Sequence, residues 1–133
     1  MDRADLWIKT LAATVAGIWG GLIAMVQLLL ILQALDVATG ILSAAGRGQL
    51  SSKVSWAGMT KKVSTLLVVV MAGALQSYAG GMVSGLPIVE AVAGFYCANE
   101  SISILENAVE AGLPVPQTLR DALAKLSPEK PAA

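Results

Sequence analysis

The order of apolar and polar positions divides this chain into long uncharged stretches separated by short polar ones. No Asp, Glu, Lys or Arg occurs from Thr10 through Leu35 or from Val63 through Val89. A helix rises about 1.5 Å per residue, so roughly 20 apolar residues cross a hydrocarbon core of about 30 Å. Each stretch is long enough for one span. The first predicted spanning helix runs over 22–45 and holds the unbroken apolar run LLLIL, and the second occupies 63–79. A third, 88–111, begins apolar and turns polar, with Asn99, Ser103, Glu106 and Glu110 on one face at helical spacing. Gly80, Gly81, Gly85 and Pro87 mark a turn before it.

The flanking segments have patterns of their own. Over 4–19, Trp7, Leu11, Val15 and Ile18 fall on one helical face while Asp2, Asp5 and Lys9 fall on the other. That pattern predicts an amphipathic helix lying in the membrane interface, with a short extra span ending at Gly20-Gly21 as the rival reading. Arg3 and Lys9 ahead of an apolar run also resemble a signal peptide; Asp2, Asp5 and the length of the run argue against it. The segment GRGQLSSKVSWAGMTKK, 46–62, reads as a loop. Its charges are Arg47, Lys53, Lys61 and Lys62, all positive, which places it in the cytoplasm. After Pro114 and Pro116, Thr118 is expected to cap a short amphipathic helix over 117–126 with Leu119, Leu123 and Leu126, followed by a disordered 127–133. The C-terminus is then cytoplasmic too. The predicted fold is a single all-α membrane domain: an amphipathic N-terminal helix, three transmembrane helices and a short C-terminal helix.

Composition supports residence in the bilayer and narrows the chemistry. Hydrophobic residues make up 56% and charged residues 14%, against roughly 45–50% and about 25% in soluble domains. Lipid must replace water over much of the surface. A net charge of zero, with no basic stripe, gives no case for nucleic-acid binding. Histidine is absent and Cys97 is the single cysteine, which removes the commonest general base and any internal disulfide. No phosphate-binding loop, dinucleotide fingerprint or nucleophile elbow is present. These features point away from an enzyme and call for no metal or cofactor. Cys97 reads as a small apolar packing residue.

The informative residues are polar ones at membrane depth, which are expensive unless paired or facing water. Asp36, late in its helix, reads as a carboxylate held near the cytoplasmic boundary by Lys61 or Lys62. Asn99, Glu100, Ser103, Glu106 and Asn107 give the third span a polar face that must meet other helices or a water-filled opening. Ala72, Gly73 and Ala74, with Ala91, Gly94 and Ala98, offer small residues for close helix contact.

Two segments carry a family resemblance: LDVATGILSAAGRGQLSSKVSWAGMTKK and FYCANESISILENAVEAGLPVP. Within them lie Asp36, Thr39 and Gly40; Leu50, Ser51 and Ser52; Gly58 and Lys62 with Lys61 beside it; Asn99, Glu100, Ser103, Glu106 and Asn107; then Gly112, Pro114 and Pro116. In order and spacing they resemble the phage holin family that includes clostridial toxin-secretion holins, over about residues 20 to 126. The stretch Gln76 to Pro87 departs from that pattern in being glycine-rich and uncharged.

The resemblance implies a small protein of the bacterial cytoplasmic membrane that contacts lipid and its own copies. It implies a homo-oligomer opening lesions through which an endolysin or toxin leaves. The family has no catalytic residues, so the motif positions are expected to determine structure or assembly. Composition and spacing alone leave two other classes open. One is a small ion channel or transporter subunit binding a cation at Asp36 or Glu100, and the other is a membrane scaffold without a pore.

Overall fold

The computed structural model describes residues 2–126, leaving aside the side chains of residues 52–55, 123, 124 and 126. The expected disordered segment 127–133 lies outside the described residues. Five helices form, α1 (Arg3–Gly21), α2 (Ala24–Gly46), α3 (Ser52–Tyr78), α4 (Ile88–Glu110) and α5 (Gln117–Leu126), with no strand among the described residues. Three are long and apolar enough to cross a membrane: Ala24–Gly46, Trp56–Tyr78 and Ile88–Glu110. The chain is therefore an all-α integral membrane protein.

Backbone chemistry explains where these helices stop. Gly20 and Gly21 weaken the end of α1, each costing about 1 kcal/mol against alanine in a helix interior. Leu22 and Ile23 are then extended, and the Leu22 N–H closes the turn on the Trp19 carbonyl at 3.2 Å. α2 and α4 end in the same way. Gly48 (φ 64°) and Gly112 (φ 79°) adopt the left-handed conformation just past each helix. Around them Gln49 N–H bonds Ala44 O and Gly48 N–H bonds Ala45 O, while Leu113 N–H bonds Ala108 O and Gly112 N–H bonds Val109 O. Each pair is a Schellman stop, which only glycine enters without strain.

The loop expected over 46–62 is mostly helix. Only residues 47–51 connect α2 to α3, and α3 begins at Ser52. Gly58 and a row of hydroxyls give this stretch a turn-like composition, yet Thr60, like Ser64 and Thr65 just beyond the stretch, bonds to the helix itself. Thr60 donates to Trp56 O, Ser64 to Thr60 O and Thr65 to Lys61 O, at 2.9 to 3.1 Å. Back-bonding of this kind lets polar side chains sit in a membrane helix without outside partners. At the other end of the chain, α5 starts at Gln117, so Thr118 lies inside its first turn and does not cap it.

α4 packs against both α2 and α3. Along α2 the contact stripe is Met25, Leu29, Gln33, Asp36, Gly40 and Ser43, spaced four or three apart, the spacing that keeps one face toward a neighbouring helix. Leu29, Val69, Ala93 and Cys97 form the buried centre, ringed by Met25, Leu32, Leu66 and Val92. Small residues set the approach: Ala72 and Ala93 are fully buried, whereas Ala91 and Ala98 are exposed. Cys97 packs there, its Sγ 3.7 Å from the Met25 carbonyl. Leu28, Ile31, Leu35, Leu67, Val70 and Phe95 point outward, where acyl chains can cover them.

Candidate functional site

Lys62 of α3 reaches between α2 and α4 and meets two carboxylates. Its Nζ donates to Asp36 Oδ2 at 2.7 Å and to Glu100 Oε2. All three side chains keep only 12 to 13% of their surface exposed. Asp36 lies twelve residues from the start of α2 and ten from its end, and Glu100 is placed likewise in α4. At 1.5 Å per residue that is roughly 15 Å from the nearer helix end. Lys62 reaches this level because α3 begins ten residues before it, at Ser52.

The node extends through amides. Asn107 Nδ2 donates to Asp36 Oδ1 at 3.0 Å, Asp36 O at 3.2 Å and Thr39 Oγ1 at 3.1 Å. Thr39 in turn donates to the Asp36 carbonyl. Gly40 makes room for this, since a Cβ there would stand 3.4 Å from Asn107 Nδ2. Gln33, buried at 6% exposure, donates to the Lys62 carbonyl at 3.5 Å. Its place three residues before Asp36 puts it on the same stripe of α2.

An isolated charge at the bilayer centre costs about 2.5–3.5 kcal/mol on insertion scales. Here one ammonium and two carboxylates offset one another, and Asn107 supplies a further donor to Asp36. The cluster's evident capability is to fix α2, α3 and α4 in one register, since each helix contributes a charge that the others need.

α4 carries two polar columns, and the structure separates them. Asn99-Glu100 and Glu106-Asn107 are doublets seven residues apart, so each member stacks above its counterpart. Glu100 and Asn107 turn inward to the node. Asn99 and Glu106 are exposed and line a polar groove of about 670 Å³ between α3 and α4, with Lys61, Thr65 and Ser103. Asn99 sits at the midpoint of α4, eleven residues from either end. Its side chain makes no hydrogen bond among the described residues.

A second groove, of about 370 Å³, lies on the other side of the node and ends at Arg47 and Glu110. Gly58 borders both grooves, and a Cβ there would meet nothing within 4 Å. Arg47 Nη2 pairs with Glu110 Oε2 at 2.8 Å, both about two-fifths exposed. Of the four loop charges, only Arg47 lies in the connection; Lys53, Lys61 and Lys62 belong to α3. The side chains of Ser52 and Lys53 lie outside the described residues, and Ser51 directly precedes α3. Gly112, Pro114 and Pro116 form the stop between α4 and α5.

Comparison with known sequences matches the bacteriophage holin family over residues 13–128. The chain belongs to the bacteriophage holin family. A probable holin of Bacillus phage phi105 is 32% identical over 103 residues, covering 77% of this chain and 74% of that protein. An uncharacterised protein of Halalkalibacterium halodurans is 36% identical over 118 residues, 87% of each chain. An uncharacterised protein of Bacillus subtilis is 30% identical over 132 residues, covering 98% of this chain and 91% of that one. No solved structure matches. Six of the residues that first suggested this family, Asp36, Thr39, Gly40, Lys62, Glu100 and Asn107, are gathered by the fold into one connected node.

Proposed function

We propose that this holin-family protein gathers copies of itself in the bacterial cytoplasmic membrane and opens lesions that collapse the membrane potential and release an endolysin or toxin. The observation that carries the proposal is Asn99: an exposed amide at the midpoint of a spanning helix, without a hydrogen-bond partner among the described residues. Acyl chains offer it none, so either a second protomer or water must. Interhelical polar contacts of this kind contribute about 1 kcal/mol each, enough to bias association when several repeat around an assembly. Gly58 leaves space at the edge of the same groove. In this reading the 47–51 connection and the C-terminus face the cytoplasm, in keeping with Arg47, Lys53 and Lys61 at that end.

A cation-binding channel would draw on Asp36 or Glu100, and both already contact Lys62. A scaffold would leave the Asn99 column without purpose. Induced expression in bacteria tests the three together. The expected result is a delay, then abrupt loss of potential and leakage of a folded marker protein. Asn99→Leu should reach the membrane in equal amount but permeabilise later and yield fewer cross-linked oligomers. Selective ion currents without marker leakage would favour a channel, and cells that keep potential and viability with the protein in the membrane would sink the proposal.

A further inference from the structure

α1 is the part of the molecule that neither the node nor the polar groove explains. Every residue from Arg3 to Gly21 is exposed, including Trp7 at 73%, Leu11 at 66% and Ile18 at 62%. At about 100° per residue, Trp7, Ile8, Leu11, Val15, Ile18 and Trp19 fall within an arc about 120° wide. Asp5 and Lys9 lie outside that arc, and Ala13 stands opposite it.

The connection to α2 limits what can cover this face. Only Leu22 and Ile23 separate the two helices, and two extended residues reach about 7 Å. Gln27 of α2 tightens the corner by donating from Nε2 to the Trp19 carbonyl at 2.7 Å. The end of α1 is therefore held where α2 enters the bilayer. Its apolar arc continues the outward-facing Ile23 and Leu28 of the span. Arg3, Asp5 and Lys9 in its first turns oppose insertion across the membrane.

We propose that α1 is a membrane-surface helix, its Trp7, Leu11, Val15 and Ile18 face seated at the headgroup and acyl boundary of the leaflet where α2 begins. Apolar area holds it there. Asp2, Arg3, Asp5 and Lys9 cancel, so anionic lipid adds no attraction. This requires only that α2 spans the bilayer, and it stands or falls separately from lesion formation.

The test uses the full chain, with Cys97→Ala as background, in vesicles of phosphatidylcholine and of phosphatidylcholine with phosphatidylglycerol. Single cysteines replace Lys9, Leu11, Ala13 or Val15 and carry an environment-sensitive fluorophore, with nitroxide lipids as quenchers at shallow and deep positions. Labels at 11 and 15 should be quenched most by the shallow nitroxide, equally in both vesicle types, while labels at 9 and 13 stay accessible to aqueous quencher. Depth that increases steadily along the helix, with position 9 or 13 entering the bilayer, would show a span and overturn the proposal. Protection at 11 only when protein is crowded would show a second copy covering the face, and would equally overturn it. As a check that needs no label, Trp56→Phe chains should show tryptophan emission quenched by lipids brominated near the headgroup.

Discussion

Two charged contacts tie α2 and the residue just past it to neighbouring helices, and nearly equal bond lengths conceal different roles. Arg47 and Glu110 pair at 2.8 Å at the helix ends, with more than two-fifths of each side chain exposed. Asp36 meets Lys62 at 2.7 Å about 15 Å inside the helices, with 13% of each exposed, and Glu100 shares the same ammonium. At the ends, water solvates either partner of a broken pair, so the contact is worth about 0–1 kcal/mol. In the node little water reaches the place of a lost partner, and removing one member of a buried pair typically costs about 3–5 kcal/mol. Environment, not distance, decides which contact holds the register.

The largest effect is expected from Lys62→Met, which leaves Asp36 and Glu100 facing each other with no cation. The loss should approach the full penalty of about 3–5 kcal/mol, read as a shift in the detergent-denaturation midpoint of purified protein. The triple variant Asp36→Asn, Lys62→Met, Glu100→Gln sharpens the point. With every charge removed together, most of that stability should return. A triple variant as unstable as the single one would mean that the geometry of Lys62, rather than its charge, is what the three helices need.

Asn107→Ala should come next. It removes donors to Asp36 Oδ1, Asp36 O and Thr39 Oγ1 while leaving the ion pairs intact. Contacts of this type in membranes average nearer 0.6 than 2 kcal/mol, so a loss of about 1–2 kcal/mol is expected in the same denaturation measurement. Gly40→Val should mimic it by displacing the Asn107 amide, and the double variant should then lose little more than either single one.

How much of this was readable in the sequence follows from the range of each interaction. The first two spans appeared because charge-free stretches long enough to cross a bilayer are a local signal, and Gly20-Gly21 marked the corner near Leu22 for the same reason. Asp36 and its lysine were legible as a demand, since a carboxylate in a span needs a cation and only Lys61 and Lys62 were near. Glu100 as the third member was not. Its placement depends on how α4 slides against α2, a register set by Leu29, Ala93 and Cys97 rather than by anything near Glu100 in sequence. The early start of α3 was hidden because Gly58 and the hydroxyl residues from Ser51 to Thr60 look like turn chemistry, whereas Thr60 bonds back to the Trp56 carbonyl within the helix. Reading Asn99 and Glu106 as one face was sound as periodicity. It missed that their neighbours Glu100 and Asn107 form a second column committed to the protein's interior.

The smallest effect completes the contrast. Arg47→Gln removes a pair of nearly the same length as the one in the node, and it also removes the Arg47 Nε bond to the Ser43 carbonyl at 3.3 Å. Because Glu110 is 45% exposed, it keeps its hydration when its partner goes. The denaturation midpoint should shift by no more than about 1 kcal/mol, and raised salt should shrink the difference further. A loss as large as that of Lys62→Met, insensitive to salt, would mean the α2 and α4 ends are buried in the working protein. The polar ends of these helices would then have to meet a neighbouring protomer rather than water.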